Sequence, residues 1–159
     1  MRGRATSTAL SARGTGHDGP GPRPSRSMTP SRLKNGMKRE LRKWVPVYDL
    51  THWEFGVGDT ISQKDTGTVM GINFHSGTKT VTVHGAHDCN YDGSDPLDLC
   101  VRHELLHLMI ADIGLATALD SLQNKETSKT ISDMIEVLCD RVAVATGRAY
   151  DAGKSARTS

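Results

Sequence analysis

The sequence predicts an α+β domain, on two observations. Three short segments, 53–57, 68–74 and 80–84, alternate apolar and polar residues with the period of a half-buried strand. Two later segments, 96–113 and 127–146, carry apolar residues at helical spacing, and the first of them holds H-E-x-x-H, His103-Glu104-Leu105-Leu106-His107, inside an apolar run. The expected architecture is a small antiparallel sheet packed on the motif helix and on a C-terminal helix.

The 159 residues suffice for one domain with a real core. Their net charge of +2 is unevenly spread. Residues 1–43 carry eleven Lys and Arg against Asp18 and Glu40, a net +9, and the rest carry nine basic and sixteen acidic side chains, a net −7. Residues 1–36 are rich in Gly, Ser, Pro, Thr and Arg with almost nothing to bury, so they read as a disordered basic tail. Its charge offers a weak case for touching nucleic acid, since no aromatic residue is interleaved for base stacking. The domain is expected over 37–147.

It opens with a short amphipathic helix from Met37 to Trp44, ended by Pro46, with Leu41 and Trp44 facing inward. Residues 68–74 and 80–84 form a hairpin whose turn is His75-Ser76-Gly77-Thr78. Residues 85–93 make a loop of turn formers. Ser94 or Asp95 caps the motif helix, Pro96 fits its first turn, Asp98 complements its dipole and Gly114 stops it. A partly helical link covers 115–126. Thr127 or Thr130 then caps the last helix, Gly147 ends it, and 148–159 read as a flexible tail.

The motif points to a metal. Residues four apart share a helix face, so His103 and His107 can offer nitrogens to one zinc ion while Glu104 lies beside them. A catalytic zinc takes three protein ligands and keeps one position for water, whose proton a neighbouring carboxylate removes; Glu104 is that base. Buried ionisable groups need partners, and this segment is too apolar to be an ordinary solvated face. The third ligand must come from elsewhere. Glu136 stands among Ile131, Met134, Ile135, Val137 and Leu138, with Asp140 one turn later on the same side. Glu136 can coordinate while Asp140 accepts a hydrogen bond from the free N–H of a ligand histidine. The competing reading is a solvated acidic stripe of Asp133, Glu136 and Asp140 paired with Arg141 or lysines. His84 and His87 are reserve ligands, His52 and His75 read as structural or exposed, and Tyr91 has only its loop position to recommend it as an oxyanion donor.

Cys89, Cys100 and Cys139 show no C-x-x-C spacing, which argues against a disulfide framework and a zinc ribbon and fits reduced thiols in a cytoplasm. No window reaches the length of a membrane span, so no membrane partner is expected.

His103-Glu104-Leu105-Leu106-His107 followed by Glu136-x-x-x-Asp140 resembles the gluzincin branch of zinc metallopeptidases, over about residues 53–145. The segment 136–143 is also similar to the second helix of small phage-encoded and ImmA/IrrE-type metallopeptidase domains. The resemblance implies a minimal zincin-like fold, a Zn2+ cofactor on His103, His107 and Glu136, Glu104 as general base and acid, and Asp140 supporting a histidine. Two departures stand out: Leu106 occupies a place where ImmA/IrrE-type proteins carry glycine, and the chain has no room for the subdomains that supply full-size gluzincins with a large cleft and an oxyanion donor. The basic tail also raises a SprT-like protease acting near DNA as a reading, which the missing zinc ribbon weakens.

The expected function is therefore a zinc-dependent metallopeptidase acting on a peptide or protein, with the substrate extended along the strand that holds Val81 and Val83, in the host cytoplasm if the chain is phage-encoded. The alternative is a non-catalytic zinc-stabilised binding or regulatory module, associated with nucleic acid through its basic tail. A fourth protein ligand, such as His84, His87 or Cys139, would favour that alternative.

Overall fold

The structure is a computed structural model and describes residues 28–91, 96–114 and 125–157. Helix α1, Pro30–Trp44, begins with the Thr29 hydroxyl accepting from the Arg32 N–H at 3.4 Å, with proline at the helix start. It buries Leu33, Met37, Leu41 and Trp44, one apolar stripe at three- and four-residue spacing. The helix thus starts seven residues before the expected Met37, and residues 30–36 belong to the domain rather than to a tail. Gly36, inside this helix, has a packing role. A Cβ there would lie 2.6 Å from Leu97 Cδ2, so the missing side chain is what lets α1 approach the motif helix. Residues 1–27 lie outside the described part.

Strand β1, Glu54–Val57, leads through the four-residue helix α2, Gln63–Thr66, to strand β2, Met70–His75, and strand β3, Thr80–Gly85. The sheet order is β1-β3-β2. β2 and β3 form the expected antiparallel hairpin, from Met70 opposite Gly85 to His75 opposite Thr80. The expectation of a wholly antiparallel sheet fails at β1, which runs parallel to β3, with Glu54 opposite Thr80. The physical reason is the connection. The chain between β1 and β2 is long enough to leave a strand-wide gap, and β3 fills it, its end tied to that connection by Ile61 N–H to Gly85 O and His87 N–H to Ile61 O, both 3.0 Å.

Helix α3, Leu97–Asp112, carries the motif; Pro96 sits just before its first turn and Gly114 follows it at φ +78°. The proposed caps Ser94 and Asp95 lie outside the described residues, as does 115–124. Val101, Leu105 and Leu108 face α1 and the sheet, where Val81 and Val83 are equally buried. Burying each such side chain is worth about 1.5–3 kcal/mol. Leu106 faces the other way, onto Cys139 and Ala143 of helix α4, Lys125–Arg157. The motif helix is therefore packed on two sides, and what remains is one exposed face.

Helix α4 departs from expectation at both ends. Thr130 lies inside it, its hydroxyl donating to the Glu126 carbonyl, and is not a cap, and Thr127 is likewise within the helix. Gly147 does not stop it. A Cβ there would fall 2.2 Å from Arg102 Nη1, so this glycine makes room for the Arg102 guanidinium. The flexible tail expected from 148 is helical through Arg157, and Tyr150 packs against Trp44 with its ring tilted and the ring centres 5.0 Å apart. Among the described residues no helix is long and apolar enough to cross a membrane.

Candidate metal centre

Arg102 joins the helices that build the site. It is buried although charged, and its Nη2 pairs with the Asp98 carboxylate one turn back at 2.9 Å. Nη1 donates to the Ala143 carbonyl of α4, and the guanidinium lies 4.9 Å from the centre of the Trp44 ring on α1. With the Leu106, Cys139 and Ala143 cluster, this contact lays α4 across α3 beside the histidines.

The histidine face and the acidic face meet there. His103 Nε2 and His107 Nε2 are 2.8 Å apart, and they lie 3.2 Å and 3.3 Å from the two carboxylate oxygens of Glu136. The candidate ligand atoms all fall within 4.8 Å of one another. Asp140 Oδ1 sits 2.8 Å from His103 Nδ1. If His103 donates its Nδ1 proton to Asp140, Nε2 carries the lone pair that faces Glu136 and His107.

The donor set suits zinc on chemical grounds. Zinc accepts imidazole nitrogen and carboxylate oxygen at about 2.0–2.2 Å, which separates two donors on a tetrahedral ion by about 3.3 Å. The Nε2 to carboxylate separations match that spacing, and the two Nε2 atoms are within half an ångström of it. Burial, ahead of the opposing pull of Glu136, holds the His107 pKa below its usual value and favours the neutral ring that a metal requires. The side chains of His103 and His107 are 18% and 26% exposed, while Glu136 and Asp140 are 59% and 71% exposed. The carboxylates therefore close the site from the solvent side.

Glu104 points into a cleft of about 380 Å³ lined by Gly67–Met70, Leu99, Cys100, His103, Glu136 and Asp140. Loss of hydration, and next the negative charge of Glu136, push its carboxyl up to about 8. Its carboxylate stands apart from the converging donor atoms of His103, His107 and Glu136. That leaves it free to handle protons.

The other sequence candidates lie elsewhere. The His84 ring contacts the Asp59 carbonyl at 3.1 Å and Asn73 at 3.3 Å, His75 orders its own turn through Thr78, and His52 pairs with Asp112. His87 has a buried Nδ1 with no partner among the described residues, and neither it, His84 nor Cys139 joins the metal group. Cys139 lies buried beneath the site, its thiol pushed up to about 11 by burial and then by Glu136. Tyr91 is buried, and its hydroxyl donates to the Val69 carbonyl at 3.0 Å, which ties down the start of β2 rather than facing a substrate. Sequence reasoning missed Arg102 and the 67–70 wall of the cleft. Arg102 did leave a signal: an arginine flanked by Val101 and one helical turn after Asp98 is a candidate buried pair.

No family model, curated protein or solved structure matches this chain. The functional reading rests on the geometry of the centre.

Proposed function

We propose that the protein is a zinc-dependent peptidase of minimal zincin-like fold. The observation that carries this reading is the convergence of His103, His107 and Glu136, with Asp140 on the back of His103 and Glu104 in the adjoining cleft. Zinc, when bound, supplies Lewis acidity that polarises a carbonyl and makes water acidic near neutral pH. Glu104, in the cleft beside the histidines, is placed to take the proton of the attacking water and return it to the leaving amine. Asp140 fixes the tautomer and tilt of His103.

The expected pairing of substrate with the strand that holds Val81 and Val83 does not hold. β3, with Val81 and Val83, is the central strand and has no free edge. β2 is an edge strand, and its first residue Met70 lines the cleft together with Thr68 and Val69. An extended peptide runs along the outer edge of β2 towards Glu104, adding backbone hydrogen bonds to the sheet.

Glu104→Gln keeps the shape of the site and removes the base. The expected result is zinc content close to that of the wild type with hydrolysis of a quenched fluorescent casein lost. Retention of activity in the Gln variant would refute the mechanism.

A further inference from the structure

The opposite edge of the sheet has different surroundings. β1 is the other edge strand, and a groove of about 550 Å³ runs between it and the second half of α1, lined by Lys38, Leu41, Arg42, Val45, Phe55, Gly56 and Val57. The ladder to β3 uses the N–H groups of Glu54 and Gly58, to Lys79 O at 2.8 Å and Val83 O at 3.0 Å. Backbone direction alternates along a strand, so the N–H and C=O groups of Phe55 and Val57 point away from β3, into the groove. The side chains of Phe55 and Val57 are half-buried and give it an apolar floor.

The groove is also cationic. Lys38 and Arg42 are exposed, and among the described residues no acid forms an ion pair with either. They stand one turn apart on α1, about 6 Å along its axis, close to the roughly 6.6 Å between alternate side chains of an extended strand. The chain's own N-terminal residues are a poor occupant, because 1–27 carry Arg2, Arg4, Arg13, Arg23 and Arg26 against Asp18 alone and are repelled by both cations.

We propose that this groove docks an acidic, extended peptide segment of a partner protein by strand addition to β1. The peptide backbone pairs with Phe55 and Val57, alternate Asp or Glu side chains meet Lys38 and Arg42, and apolar residues fill the floor beside Val45. A strand edge left unpaired among the described residues and an apolar floor favour a peptide over nucleic acid, whose backbone has no N–H and C=O ladder to offer. The groove lies across the sheet from the β2 edge that borders the metal centre, so it is independent of the peptidase reading.

The probe is a fluorescein-labelled octapeptide of alternating glutamate and valine, followed by anisotropy. Saturable binding is expected with and without zinc, and the paired exposed changes Lys38→Glu and Arg42→Glu should abolish it while leaving the circular dichroism spectrum unchanged. N-methylation of the peptide at the alternate residues that face β1 should weaken binding at least tenfold, and the valine–lysine counterpart should not bind. The proposal is overturned if the acidic peptide fails to bind at about 1 mM. It is overturned equally if the N-methylated peptide or an oligo(dT) binds as tightly as the unmodified peptide, since the surface would then be reading polyanion charge and not a strand.

Discussion

Glu136→Gln separates metal ligation from folding. The side chain is 59% exposed and glutamine has nearly its shape, and the apolar contacts that dock α4 on α3, Leu106 with Cys139 and Ala143, involve residues one and two turns further along the same face. The substitution therefore leaves the metal-free fold intact. It removes the negative charge that sits 3.2 Å and 3.3 Å from the two imidazole nitrogens. Changing an outer group that merely orients a ligand costs ten- to a hundredfold in metal affinity, so losing the carboxylate donor should cost at least the upper value, about 100-fold or 2.7 kcal/mol. A competition titration against a chromophoric zinc chelator measures this directly. Thermal melting gives a second readout. At saturating zinc the stabilisation scales with the logarithm of affinity, so the zinc-induced rise in melting temperature should shrink by roughly 5–11 °C, with the metal-free midpoint unchanged. A zinc dissociation constant within threefold of the wild type would refute Glu136 as a ligand and with it the three-donor centre.

Two further outcomes are expected. Gly147→Ala improves helix propensity by about 1 kcal/mol, yet its methyl meets the Arg102 guanidinium, which costs about 1–3 kcal/mol, so urea denaturation should show a net loss of up to about 2 kcal/mol; a gain would mean that α3 and α4 are not held together through Arg102. The Asp88 carboxylate is held down to about 2, from the usual 3.8, chiefly by the Gln63 N–H and further by Lys64 N–H and the Ser62 hydroxyl. Because the folded value is the lower one, its stabilising effect is complete above about pH 4 and is lost as pH falls towards 2. Asp88→Asn should flatten the stability profile in that window, and an unchanged acid limb in a denaturation series would contradict the assignment.

The motif helix and the acidic pair on the last helix were legible because each broke a local rule, placing ionisable residues where the apolar period called for burial. The structure brings these two segments to within 3.3 Å of each other. Strand faces were legible for the same reason, since alternation is local. Strand direction was not, because β1 meets β3 through a pairing decided by the intervening chain. Gly147, read as the end of a helix, shows a different gap, and Gly36 within α1 is a second glycine of the same kind. A glycine that ends a helix and one that admits a neighbour look the same in one sequence, and only the position of Leu97 or Arg102 tells them apart.

The contact between Arg102 and the Ala143 carbonyl makes α4 a lever with its fulcrum next to the motif. Glu136 lies seven residues from Ala143, about 10 Å along the helix axis. A tilt of ten degrees about that point carries the Glu136 carboxylate through nearly 2 Å, about the length of a zinc–oxygen bond. The distance of Glu136 from the two histidines is therefore set by the angle at which α4 crosses α3.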